Sequence, residues 1–184
     1  METAGAQSDP PSLDQTGQTT FQGQLRPYRI RNLPVSSFPE LPGAIASALT
    51  SRGCIIPQTY EARRPENVIH ASFERPGSSD WAVLCSAHDR VALLVFFASG
   101  SSDAPAVLNT RSCLLMLEPR NGSSELGFDW GIDPASPRRV HDAQASMPHR
   151  PPPPDHDALA ETMIDQGTIY HLYRNGAWET VPTE

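Results

Sequence analysis

Residues 67–97, NVIHASFERPGSSDWAVLCSAHDRVALLVFF, carry the densest apolar pattern of the chain. The opening segment alternates apolar and polar residues, which is typical of a half-buried β-strand. Two continuous apolar runs follow, Trp81 to Cys85 and Val91 to Phe97, and the short polar segment SAHDR separates them. This order predicts three sequential strands, of which the last two form a hairpin covered on both faces.

The 184 residues suffice for one domain with its own core. The expected fold class is α+β and mainly β, an antiparallel sheet of short strands and hairpins with one or two short helices packed against it. The polar composition before residue 27 predicts a disordered N-terminal tail over residues 1–26. Residues 27–182 are expected to form a single globular α+β domain, with a Pro-rich loop at about residues 131–154.

Shorter patterns predict the individual elements. Apolar residues at helical spacing over residues 38–53 predict a first short helix that ends at Gly53, and residues 155–167 predict a second. A strand over Cys113–Leu117 is expected to pair with residues 126–130 across an Asn-Gly turn. The C-terminal hairpin turns at Asn175-Gly176, which pairs Tyr173 with Trp178 and His171 with Thr180.

The charge distribution restricts the kinds of partner. The net charge is −7, and every basic residue is Arg. Because nucleic-acid affinity comes largely from basic side chains that neutralise phosphates, no nucleic-acid partner is expected. We interpret Arg26, Arg29 and Arg31 as solvated charges on a linker. No apolar run approaches the roughly 18 residues of a membrane span, and the first residues do not resemble a secretory signal.

The three cysteines leave two alternatives open. If the first helix packs on the sheet, Cys54 and Cys85 lie close enough to form a disulfide, and Cys113 remains a buried thiol. Otherwise all three are reduced core cysteines. Disulfides follow the redox compartment, so the first alternative favours an exported protein and the second a cytosolic one.

The segment Phe73–Leu84, FERPGSSDWAVL, resembles the core of FG-GAP or VCBS-type repeats. Those repeats form propeller blades whose acidic loops bind calcium. The resemblance covers about a dozen residues and occurs once, and only Glu74 and Asp80 match the acidic positions. Calcium needs roughly six to eight oxygen ligands, so we expect no metal and no other cofactor. The order of the segments is also similar to that of small uncharacterised bacterial proteins, many of them exported.

The sequence contains only weak signals for catalytic residues. Cys85 and His88 offer a thiol and a base, but a cysteine at the end of a buried strand is typically inert. His141, His149 and His156 match no metal-ligand spacing and are interpreted as loop histidines. No phosphate-binding loop or hydrolase motif is present. We therefore expect no catalytic residues.

The leading hypothesis is a non-enzymatic binding or structural module of the bacterial cell envelope, with a protein or an envelope component as its partner. Its expected partner-binding surface consists of Tyr173, Trp178 and His171 on the terminal hairpin. One alternative is a small hydrolase that uses Cys85 or a pair of carboxylates in a cleft. Another is a cytosolic regulatory protein. The sequence leaves the oligomeric state open and favours a periplasmic or secreted location only weakly.

Overall fold

The computed structural model describes residues 12–164 and 166–184, which form two β-sheets and two short helices. The larger sheet has nine strands in the order β7-β6-β5-β3-β2-β9-β8, with β1 paired to β2 and β4 paired to β5. Its strands are β1 (Gln15–Phe21), β2 (Gln24–Pro34), β3 (Ile55–Gln58), β4 (Val68–Ala71), β5 (Asp80–Ala87), β6 (Arg90–Phe96), β7 (Ala106–Ser112), β8 (Leu117–Pro119) and β9 (Leu126–Phe128). The smaller sheet has four strands in chain order, β10 (Trp130–Ala135), β11 (Ala158–Met163), β12 (Gly167–Arg174) and β13 (Ala177–Val181).

The chain stacks four layers. Helix α1 (Gly43–Ser51) covers one face of the larger sheet, the smaller sheet covers the other, and α2 (Pro137–Ala143) packs on the far face of the smaller sheet. Strand β5 shows the arrangement directly. Its residues Ala82 and Leu84 belong to the core between the sheets, whereas Trp81, Val83 and Cys85 belong to the core under α1. The prediction of a central strand covered on both faces is therefore confirmed.

The mainly β, α+β class predicted from the sequence is also confirmed. The sheets are antiparallel apart from one parallel pair, β2 with β9. The terminal hairpin has the predicted register, with Tyr173 opposite Trp178 and His171 opposite Thr180. Among the described residues, no helix is long and apolar enough to cross a membrane.

The first predicted helix is present, and a disulfide fixes its end to the sheet. Helix α1 ends at Ser51, and Gly53 takes a left-handed conformation with φ of +70° that favours glycine. Cys54 follows and is bonded to Cys85 of β5, with the two Cα atoms 5.0 Å apart. Cys113 is a buried free thiol. The first of the two cysteine alternatives is thus confirmed, and it fits a protein outside the reducing cytosol.

The prediction of a disordered tail over residues 1–26 is wrong for residues 15–26, which form β1 and the start of β2. Residues 1–11 of that tail lie outside the described residues. The polar composition did not indicate a strand because β1 lies at the edge of the sheet, where it pairs along its whole length with β2. Backbone hydrogen bonds in such a strand do not require apolar side chains on both faces.

Residues 131–154 are not one loop, because they contain most of β10 and the whole of α2. The Ser136 side chain accepts a hydrogen bond from the backbone N–H of Arg139, and Pro137 occupies the first turn of α2. Both residue types favour the start of a helix, so the sequence of this segment did contain a helix signal. Residues 144–154, which follow α2, keep the predicted irregular conformation.

Two further predictions are wrong. The predicted second helix is strand β11. The pattern did not distinguish the two, because residues four apart, such as Leu159 and Met163, share a face in a strand as well as in a helix. The predicted strand over Cys113–Leu117 is a 3-10 turn over Cys113–Met116 that leads into β8, and β7 precedes it without having been predicted.

Candidate functional site

Three arginines converge on a cleft of about 260 Å³ beside the β2–β9–β8 end of the larger sheet. Arg29 and Arg31 lie on β2, where they alternate with the buried residues Ile30 and Asn32. Arg120 follows β8. The interpretation of Arg29 and Arg31 as linker charges is therefore wrong, because both lie on a strand and line one cleft. The remaining lining residues are Gln58, Thr59 and Tyr60.

Two of the side chains that line the cleft pack closely against the backbone of β9. A Cβ atom at Gly127 would lie 2.5 Å from Cβ of Tyr60 and 3.0 Å from Cγ of Arg120. The backbone N–H of Tyr60 also donates to the carbonyl of Phe128, at 2.8 Å. Glycine at position 127 is thus what allows Tyr60 and Arg120 to pack against the strand.

The segment that carries Thr59 and Tyr60 is held in one conformation. The side-chain amide of Gln58 donates to the carbonyl of Glu66 at 2.9 Å and accepts from its N–H at 2.9 Å. The Glu66 carboxylate accepts from both the backbone N–H and the hydroxyl of Thr59. Gln58 is 1% exposed, so these bonds form in a site shielded from water. One wall of the cleft is therefore preorganised.

The charges in the cleft are unequally compensated. Arg29 pairs with Asp14 at 2.6 Å, and hydrogen bonding to that carboxylate raises the pKa of Arg29. Arg120 pairs with Glu125 at 2.7 Å. Arg31 donates only to the carbonyl of Ala62, at 3.3 Å, and forms no ion pair with the described part of the chain. An exposed ion pair contributes little to stability, and a guanidinium has five N–H donors, so Arg29 and Arg120 keep donors for a ligand. Arg31 offers an uncompensated charge.

The structure brings together Tyr173 and Trp178 of the predicted partner-binding surface, and both are half-buried. Tyr173 and Trp178 have ring centroids 5.4 Å apart. Both rings contact Phe97, and Trp178 also lies 6.4 Å from Phe73 of the core between the sheets. These aromatics face the larger sheet instead of standing free on the surface. Their role as a partner-binding surface stays a prediction.

His171 belongs to a polar network buried between the sheets. Its Nε2 lies 2.8 Å from Oε2 of Glu161, a residue that is 2% exposed. The other carboxylate oxygen accepts from Asn109 at 3.0 Å and from Arg111 at 3.4 Å. Burial by itself raises the pKa of Glu161, but the hydrogen bond and charge of His171, with Arg111 and Asn109, bring it below its ordinary value. The carboxylate is thus ionised at neutral pH.

The residues weighed for nucleophilic catalysis have structural roles. The Cys85 thiol is consumed in the disulfide, and His88 is exposed in the β5–β6 turn with φ of +51°. A hydrolase that uses Cys85 as its nucleophile therefore lacks a thiolate in this structure.

Two of the side chains weighed as metal ligands, His156 and Asp80, contact the protein itself. His156 bridges Asp155 and the carbonyl of Tyr173, at 2.6 and 2.8 Å. Asp80 accepts hydrogen bonds from the N–H groups of Glu74 and Ala98, which organises the turn between β4 and β5. Within residues 12–164 and 166–184, no three His, Cys, Asp or Glu side chains are grouped so that they could hold a metal ion.

Comparison with known proteins assigns no family to this chain: no family model, curated protein or solved structure matches it. Function is therefore inferred from the geometry of the site alone.

Sequence reasoning missed Tyr60, Arg120 and Gly127, which no motif marks. The available signals were the alternation of Arg29 and Arg31 with apolar residues along a strand, and a glycine inside the alternating segment that contains Leu126 and Phe128. Each signal is weak alone, and the pairing of β2 with β9 that joins them is a contact between residues far apart in sequence.

Proposed function

We propose that this protein is a non-enzymatic binding module that recognises a multiply charged anionic group through the cleft of Arg29, Arg31 and Arg120. The observation that carries the proposal is that three arginines line one cleft in a chain of net charge −7. Guanidinium groups bind carboxylate and phosphate oxygens through paired N–H donors. A cleft of this size fits one such group and not a long polyanion, since nucleic-acid sites make roughly 6–10 phosphate contacts.

The partner in this proposal is an anionic component of the bacterial cell envelope, and the protein works in the periplasm or outside the cell. The disulfide between Cys54 and Cys85 supports an oxidising location. The absence of a free thiolate at Cys85 supports binding over hydrolysis. An acidic segment of a partner protein offers similar carboxylates and is the competing source of the ligand.

Calorimetric titration with pyrophosphate, citrate and acetate tests the proposal. Pyrophosphate is expected to bind most tightly and acetate least, because several guanidiniums act together only on a multiply charged ligand. Arg31→Gln should weaken pyrophosphate binding about tenfold or more, since a charge-assisted hydrogen bond contributes about 1.5–3 kcal/mol. Arg75→Gln is the matched control, because Arg75 is also exposed and lies outside the cleft.

The outcomes separate the alternatives. Tighter binding of citrate than of pyrophosphate would support the acidic-segment source and overturn the envelope component. Equal affinities for wild type, Arg31→Gln and Arg75→Gln would show that any binding is non-specific. No heat with any of the three anions would refute anion recognition altogether.

A further inference from the structure

A second hollow, of about 160 Å³, lies on the far face of the smaller sheet, between α2, the proline-rich segment and the C-terminal residues. It is located at the Arg174 end of β12 and shares no lining residue with the arginine cleft. Its walls are mostly aliphatic and include Val140, Leu172, Val181 and the rings of Pro151, Pro152 and Pro154. The hollow is therefore an apolar site, separate from the cleft proposed for anions.

The proline wall of the hollow is held in place by the rest of the fold. Each proline ring fixes φ of its own residue, so Pro151–Pro154 form a stiff segment. On one side of this segment, Arg150 donates to the carbonyl of His141 in α2 at 2.8 Å. On the other side, Nε2 of His156 lies 2.8 Å from the carbonyl oxygen of Tyr173 in β12. A preformed wall of this kind loses little conformational entropy when a ligand binds.

The buried side chain of Gln144 adds a polar group to the same hollow. Gln144 is 2% exposed, and its Nε2 donates to the carbonyl of Pro182 at 2.9 Å. Because a carbonyl oxygen only accepts, this bond fixes the amide and turns Oε1 away from Pro182. Oε1 accepts no hydrogen bond from the described residues, yet it keeps accessible surface, unlike the unpaired side-chain oxygen of Asn32. An open acceptor thus lies in an apolar hollow.

The size and the charges of the hollow restrict its ligand. An apolar cavity of about 150 Å³ holds a benzene ring, so a hollow of about 160 Å³ fits one ring. Arg174 and Glu179 both line the hollow, and their opposite charges give no preference for an anion or a cation. A ring without a hydrogen-bond donor would cover Oε1 of Gln144 and leave it unpaired, which is unfavourable. These features together favour a neutral single ring that carries a donor.

We propose that this hollow binds a small neutral phenol. The aromatic ring packs against the proline rings and against Leu172 and Val181, and the hydroxyl donates to Oε1 of Gln144. A phenolic hydroxyl has a pKa of about 10, so it is neutral at pH 7 and is a stronger donor than an aliphatic alcohol. The complex buries the ring in apolar surroundings and leaves no polar group without a partner.

NMR titration of the full chain, labelled with ¹³C in its methyl groups, with phenol tests the proposal. The ring current of bound phenol should shift the methyl signals of Val140, Leu172 and Val181 with one shared dissociation constant. Anisole has the ring without the O–H donor and should bind at least about tenfold more weakly. Cyclohexanol has a weaker donor and no aromatic ring and should also bind more weakly than phenol.

Two variants with matched controls test the position of the site. Gln144→Leu removes the acceptor and should weaken phenol binding about tenfold. Ser146→Ala is its control, because Ser146 also bonds a C-terminal carbonyl, that of Thr183, but does not line the hollow. Pro152→Ala shortens an exposed wall residue without risk to the core and should weaken phenol binding several-fold. Pro153→Ala, an exposed neighbour that does not line the hollow, should have no effect.

Each contrary result overturns a defined part of the proposal. Anisole that binds as tightly as phenol, or phenol binding that survives Gln144→Leu, would contradict the hydrogen bond. Phenol binding that survives Pro152→Ala would contradict the site. Tighter binding of N-acetyl-L-tyrosinamide than of phenol would overturn the free small molecule in favour of a tyrosine side chain of a polypeptide. No saturable shift with phenol would refute the proposal and leave the arginine cleft unaffected.

Discussion

Nε2 of His171 lies 2.8 Å from Oε2 of Glu161 on the face of the smaller sheet that packs against the larger one. The two residues come from adjacent strands, and Arg111 approaches the same carboxylate from β7 of the other sheet. Glu161 is 2% exposed, and its charge is tolerated there because both carboxylate oxygens accept hydrogen bonds. The contacts of Glu161 with Asn109 and Arg111 of β7 link the two sheets electrostatically at a point where apolar packing is interrupted.

Acid should weaken this link. The folded-state pKa of Glu161 is lowered from its ordinary value of 4.5. Its stabilising contribution is therefore complete above pH 4.5 and is lost as the pH falls through the lower folded-state pKa. Urea unfolding between pH 7 and pH 3 should show a decline in this range that is smaller in Glu161→Gln. Equal slopes for the two proteins would mean that other carboxylates cause the decline.

Removal of the disulfide should destabilise the protein without changing its fold. The bond between Cys54 and Cys85 closes a loop with a sequence separation of 31. In the chain-entropy model a loop of this length contributes about 3–4 kcal/mol. Denaturant unfolding of the Cys54→Ala/Cys85→Ala variant should show a loss of this size. Oxidised wild type, denatured without reductant, should contain one reactive thiol, Cys113, and three thiols would show that the bond does not form.

Asn67 should prove more important for stability than its place in a connecting segment suggests. Its side-chain amide donates to the carbonyls of Pro57 and Trp130, and its side-chain oxygen accepts from the N–H of Ile132. These bonds connect β10 to β3. Asn67→Gly should cost about 2–3 kcal/mol, because it leaves buried groups unpaired.

Asn67→Ala separates the side-chain bonds from the backbone conformation. Residue 67 has φ of +70°, which glycine tolerates and alanine does not. The alanine variant should therefore lose about 1 kcal/mol more than the glycine variant. Melting temperatures in the reverse order would contradict a left-handed backbone at this position.

Gly127→Ala should disturb the arginine cleft, because Gly127 contacts two of the residues that line it. The added methyl group would clash with Tyr60, and the side chain of Arg120 would also have to move. Pyrophosphate affinity should fall together with thermal stability. Gly43→Ala is the control, since a Cβ atom there meets no atom within 4 Å. Unchanged pyrophosphate affinity in Gly127→Ala would show that the positions of Tyr60 and Arg120 do not matter for binding.

The sequence predicted the elements whose signals are local. The continuous apolar run Trp81 to Cys85, the glycine at the end of α1 and the Asn175-Gly176 turn each correspond to the observed structure. These predictions succeeded because burial on two faces, a left-handed helix end and a two-residue turn each restrict the residue types within a few positions.

The parts that failed depend on distant contacts. Strand β1 is polar and is held by its pairing with β2, and β11 shares apolar positions four apart with a helix. The cleft joins Arg31 to Arg120 across the sheet, and the inter-sheet network joins Arg111 to Glu161. No local pattern encodes such pairs, so the sequence alone did not reveal either site.

The most direct test of anion recognition is an NMR titration that observes the arginine Nε–H groups of the ¹⁵N-labelled protein. Addition of pyrophosphate at low salt should shift the signals of Arg29, Arg31 and Arg120 with one shared dissociation constant. The signals of Arg75 and Arg90, which lie outside the cleft, should stay in place. Uniform small shifts of all arginines, or none at the three cleft arginines, would contradict the proposal that this cleft is the binding site.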